Sequence, residues 1–203
     1  MTTTNTKIIN QTPPTLYKEF TLPSNYYKAA VKAAASDYEN WERKANEGRR
    51  QCHNTLSGCE IGSLAEAAVI YWINTTYIPT RENKEGIKFN KLYCYGMEER
   101  RTGKMHYSKA DIEVKVRGKD TNYKIEVKGV RPHQKHGQIT QYHAEKYKKD
   151  RVGTVMFVEV DHSSYDGKAV CKIYKLATPT ECLQAPLKPN HYGKLCHTLD
   201  VEC

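Results

Sequence analysis

Two tetrapeptides in the middle of the chain, Ile112-Glu113-Val114-Lys115 and Ile125-Glu126-Val127-Lys128, set carboxylates and amines at alternate positions. Alternation of apolar and charged residues has the period of a strand with one buried and one polar face. Gly118-Lys119-Asp120-Thr121-Asn122 lies between them and has the composition of a hairpin loop. Pairing the two copies turns Ile112, Val114 and Val116 toward a core beside Ile125 and Val127. Asp111, Glu113, Lys115 and Arg117 then share the opposite face with Lys124, Glu126 and Lys128. Carboxylates gathered in this way repel one another unless a cation sits among them. A hard divalent ion such as magnesium takes carboxylate and water oxygens as ligands. Such an ion lowers the pKa of bound water and acts as a Lewis acid, which is what phosphodiester hydrolysis near pH 7 requires. The plainer reading of the same pattern is a solvated hairpin face.

Placing these residues calls for a sheet covered by helices. Pro23-Ser24 opens a helical stretch, roughly 24–50, with Tyr27, Ala30, Val31, Ala34, Tyr38 and Trp41 at three- and four-residue spacings and Arg49-Arg50 at its end. A second helix is expected from about Ile61 to Asn74, with Leu64, Ala68, Tyr71 and Trp72 turned inward. Residues 79–90 read as loop, 91–95 as a short strand and 98–109 as a charged connection. After the hairpin of 111–128 comes a third expected helix, Gln134 to Asp150. Val152 to Val160 is apolar and β-branched, a buried strand by composition, and Val170 to Leu176 reads as an edge strand. The sum is an α/β fold, a mixed sheet flanked by helices. Residues 1–22 are expected to be disordered or loosely packed, 23–57 a helical extension, 58–177 the core and 178–203 a tail with little periodicity.

Asp111, followed after fourteen residues by Glu126-x-Lys128, resembles the active-site signature of the PD-(D/E)xK nuclease superfamily. The element order over about 58–160 is similar to the αβββαβ, restriction-endonuclease-like core of that superfamily. The resemblance implies that Asp111 and Glu126 hold a metal ion, with the carbonyl of Val127 as a third oxygen donor. It also implies that Lys128 orients or activates the attacking water and stabilises developing charge. Glu113-x-Lys115 cannot pair with Asp111 in the same manner, because the pair must come from the neighbouring strand. Those two residues are assigned to an exposed charged row or to contact with a DNA backbone.

Gly62-Ser63-Leu64-Ala65-Glu66-Ala67-Ala68 resembles the glycine-x-x-x-glutamate helix of archaeal Holliday junction resolvases and several restriction enzymes. This resemblance would aim Glu66 at the metal; the bland alternative is a solvent-facing helical glutamate. Glu60 lies too near the helix start to take that role. Gln138-Ile139-Thr140-Gln141-Tyr142 resembles the Gln-hydrophobic-x-x-Tyr motif of RecB-like nucleases, expected on the helix after the lysine, where it buttresses the catalytic strand and contacts substrate. An amphipathic helix yields the same five-residue pattern. One departure is Ala110, where the superfamily places proline before its first aspartate.

Charge adds to this picture by its placement. The net charge is +9, and residues 131–153 carry six Lys/Arg against two Asp/Glu together with three of the eight histidines. A basic surface beside an acidic pocket suits a phosphodiester substrate, and Arg131, His133 and Lys135, with Gln138, Gln141 and Tyr142, are the expected DNA contacts. Seven cysteines, an odd number without C-x2-C spacing, argue for free thiols over a disulfide framework or structural zinc. No apolar run is long enough to span a bilayer and no export signal is evident, so a cytoplasmic location is expected. The expectation is a DNA endonuclease of restriction or homing type, dependent on magnesium with manganese as a substitute, acting on duplex DNA as a homodimer. A Holliday junction resolvase or recombination exonuclease of the same fold, or a non-catalytic DNA-binding protein, are the alternatives.

Overall fold

The computed structural model describes residues 18–48, 55–73, 75, 87–89, 110–116, 122–134, 136–163, 166–190 and 193–200. They form a mixed α/β structure in which helices lie on both faces of a six-stranded sheet. The elements run β1 (Lys18–Thr21), α1 (Ser24–Asn46), α2 (Leu56–Trp72), β2 (Ile87–Phe89), β3 (Ile112–Val116) and β4 (Asn122–Val130). β5 (His136–Thr140), α3 (Gln141–Lys149), β6 (Thr154–Ser163), β7 (Lys168–Ala177), α4 (Pro179–Gln184), β8 (Leu187–Pro189) and β9 (Leu195–Asp200) follow. The strand order is β1-β7-β6-β4-β3-β2, with β4 and β6 parallel and every other pair antiparallel.

The hairpin of β3 and β4 has the register the alternation requires: Ile112 faces Ile125 and Glu113 faces Lys124. Ile112, Ile125 and Val127 are buried against α2, in a core shared with Leu64, Ala68, Val158 and Ile173. Alternation sends Glu126, Lys128 and Val130 the other way, and Val130 enters a second core with Ala144 and Tyr147 of α3, Phe157, Tyr174 and Cys182. α2 starts at Thr55, whose Oγ1 accepts from the Gly58 amide (3.1 Å), and so begins five residues before the expected Ile61. It approaches β4 closely. A Cβ on Gly129 would lie 2.7 Å from the Ile61 carbonyl oxygen, so only glycine fits beside the helix there.

Five expectations are corrected. The third helix starts at Gln141, because His136–Thr140 pairs antiparallel with β9 and its exposure alternates at period two. Gly137 allows this: its missing side chain leaves room for the Phe157 ring, 2.4 Å from where a Cβ would stand. β7 is not an edge strand but lies between β6 and β1. Its outer neighbour comes from the segment expected to be loose; Lys18–Thr21 pairs with Val170–Ile173, and Leu22 is buried. Residues beyond 178 supply α4, β8 and β9, and β5, β9 and β8 form a second, three-stranded sheet. Thr178 and Glu181 close a capping box at the start of α4. β2 falls within the expected loop 79–90; the expected strand at 91–95 and connection at 98–109 lie outside the described residues. No helix among the described residues is long and apolar enough to cross a membrane.

Candidate active site

The hairpin register, carried one residue beyond Ile112↔Ile125, sets Asp111 opposite Glu126. Asp111 Oδ2 accepts a hydrogen bond from the Val127 amide at 2.8 Å, which pins the carboxylate at the entry to β3. Two residues on from Glu126, on the same face of β4, Lys128 donates from Nζ to Glu126 Oε1 (3.0 Å) and to the Val127 carbonyl (3.3 Å). Glu126 is buried, and the Lys128 side chain is half-buried beside it. Ala110 is buried in the α3-side core.

Tyr147, buried on the inner face of α3, closes this cluster from above. Its ring centroid lies 5.3 Å from Lys128 Nζ, within cation–π range. Its hydroxyl interacts with both Lys128 and Glu126. Burial raises the Glu126 pKa and the Asp111 charge raises it further, against the opposing pull of Lys128. Burial would lower that of Lys128, but Glu126, Asp111 and Tyr147 outweigh it and hold the ammonium protonated well above the ordinary lysine range. The Tyr147 phenol is also pushed up, chiefly by burial, and stays neutral. Nothing in the sequence marks Tyr147 out: an aromatic three residues from Ala144 on a helix reads as ordinary core.

The other expected residues are more scattered. Glu66 is half-buried in the middle of α2. Among the described residues no group of three or more His, Cys, Asp or Glu side chains is gathered for a metal ion. α2 packs on the Ile125/Val127 face of β4, whereas Glu126 and Lys128 lie on the other. Glu60 instead meets His162 of β6, Oε2 to Nε2 at 3.4 Å. Arg131 follows β4 directly and donates from Nη2 to Ser57 Oγ at the start of α2 (2.9 Å). Its amide donates to Gln134 Oε1 (2.9 Å), and His133 sits exposed in the same turn. Gln138 is exposed on β5, while Gln141 and Tyr142 are exposed in the first turn of α3. The Gln-x-x-x-Tyr pattern therefore straddles a strand and a helix and does not lie on one helical face. Lys135 lies outside the described residues, as do the side chains of Glu113 and Lys115.

Cys59, Cys171, Cys182 and Cys196 are free thiols, the last three buried. Compared with protein-family models, with curated proteins and with solved structures, the chain gives no significant match.

Proposed function

We propose that the chain is a divalent-metal-dependent DNA endonuclease with a restriction-endonuclease-like core. The observation that carries this reading is the convergence of Asp111, Glu126 and Lys128 from neighbouring strands at one partly buried point. The sequence of α2, β2, β3, β4, α3 and β6, with β4 and β6 parallel, supports the αβββαβ assignment, β5 being an insertion before α3. Magnesium, or manganese in its place, fits the donor set: Asp111, Glu126 and the Val127 carbonyl would hold it. The chemistry of the set favours a cation, since burial and the neighbouring carboxylate both make the charge on Glu126 costly. When bound, the ion supplies a Lewis acid and a water of lowered pKa.

Lys128 stays protonated, so its part is to lend positive charge to the phosphate as negative charge develops, not to remove a proton. Tyr147 keeps that ammonium aimed across the carboxylates. Arg131, held by Ser57 three residues past Lys128, is placed to meet a flanking phosphate. Cutting both strands of a duplex with one such site per chain calls for a homodimer.

A second reading, a DNA-binding protein without catalysis, draws on one observation. The Lys128 ammonium already neutralises Glu126 and touches the Val127 carbonyl, two of the oxygens a metal needs. Incubation of the purified protein with supercoiled, linear, single-stranded and branched DNA, with magnesium and with excess EDTA, separates the two. The nuclease reading expects cleavage in magnesium alone; binding to these DNAs with no cleavage of any would favour the second.

A further inference from the structure

The outward side of α3 carries an arrangement that the cleavage site does not use. Ala144 and Tyr147 are buried, so the helical period of 3.6 turns Tyr142, Lys146 and Lys149 away from the core, and all three are exposed. Tyr142 is 70 % exposed, the highest value among the exposed large hydrophobic side chains of the described residues. Its neighbour His143 is exposed yet fixed in place. Thr140 Oγ1 accepts from the His143 amide (3.3 Å) and shares a second hydrogen bond with His143 Nδ1 (2.7 Å). On its inner side the His143 ring stacks on Tyr147, centroids 6.0 Å apart at 28°. Tyr142 meets the outer side of the same histidine edge-on, at 5.4 Å. Three rings therefore lead from the surface to the tyrosine that covers Lys128.

We propose that the strip formed by Tyr142, Lys146 and Lys149 binds single-stranded DNA, bases stacking on the exposed Tyr142 ring, which His143 braces, and phosphates meeting the two lysines. This rests on the nuclease reading above and narrows it: the substrate carries an unpaired strand that crosses the outward side of α3. An aromatic platform flanked by cations fits this ligand, because every base has a π-face and every linkage a charge. Duplex DNA fits it poorly, since paired bases keep their faces within the stack. Bracing Tyr142 against the capped His143 removes ordering cost that a free side chain would carry on binding.

The test is binding alone, in EDTA, so it stands whether or not the protein cleaves. Fluorescence anisotropy is measured with a labelled oligothymidylate and with a hairpin duplex of equal charge, across several salt concentrations. Tyr142→Ala should weaken oligothymidylate binding by at least about fivefold, weaken duplex binding clearly less and keep the salt slope. Tyr142→Phe should bind as the wild type does. Lys146→Ala/Lys149→Ala should lower the single-strand salt slope by about 0.7 for each phosphate contact removed. All these side chains are exposed, and circular dichroism checks that the variants stay folded. Equal losses on both DNAs in Tyr142→Ala, or no loss on either, would overturn the proposal. So would an unchanged salt slope in the double lysine variant.

Discussion

Lys128 is caught between burial, which opposes its charge, and three groups that favour it, and the second influence wins. That balance makes the side chain a fixed cation. Truncating it should remove a charge from the site without removing a phosphate contact elsewhere. The two Glu-x-Lys copies also differ at this scale: Glu126 meets Lys128 and lies opposite Asp111, while Glu113 stands opposite Lys124. Glu113→Ala should therefore keep most cleavage activity, and a folded but inactive Glu113→Ala protein would show the wrong carboxylate to have been chosen. Calcium in place of magnesium should support DNA binding with little turnover, because its longer, looser coordination activates water less well; equal turnover rates in the two ions would contradict this. Burial pushes the Cys171 thiol up to about 12 and Cys182 up to about 11. A raised thiol pKa stabilises the fold below the ordinary value of about 8.5, and that contribution is lost as pH rises through the two raised values. At pH 8 both should resist a thiol reagent in the native protein and react after unfolding, as mass spectrometry of the labelled peptides would show. The Asp-Glu-Lys set was legible in the sequence because strand alternation and a hairpin loop suffice to place it. Tyr147 was not, since its role depends on how α3 lies over β4.

Among the elements, the β3–β4 hairpin and α1 follow from periodicity and β6 from composition, with ends shifted by a few residues. β5 does not, because its pairing partner, β9, is more than fifty residues away and no local signal announces it. The same long-range pairing made β1 invisible: Lys18–Thr21 has strand structure only because β7 offers an edge. Glycines mark where elements press together. Gly129, next to Lys128, lies against the Ile61 carbonyl. Gly129→Ala should push α2 from β4 and cost about 1–3 kcal/mol, the usual range for overpacking, measured by urea unfolding. Because β4 carries Glu126 and Lys128, cleavage should fall as well. A variant as stable as the wild type would mean that α2 shifts freely.

At the scale of the molecule, a mixed sheet with a helical layer on each face presents Lys128 beside a basic segment. That segment, 131–153, was legible as a charge excess, although the shape that carries it was not: it folds as a turn, a strand and a helix. Arg131→Ala should reduce the salt slope of duplex binding by about one unit and slow cleavage at saturating DNA. Lys148→Ala/Lys149→Ala should weaken affinity while sparing the cleavage step. Unchanged slopes in both would place the DNA on another surface. The central claim, that Asp111, Glu126 and Lys128 form one metal-dependent site, is tested most directly by single-turnover cleavage in magnesium at saturating DNA. Asp111→Asn, Glu126→Gln and Lys128→Ala should each slow cleavage by at least about a hundredfold, with DNA affinity within a few-fold of the wild type and no cleavage by the wild type in excess EDTA. Wild-type rates in any of the three variants, or full activity in EDTA, would contradict the account.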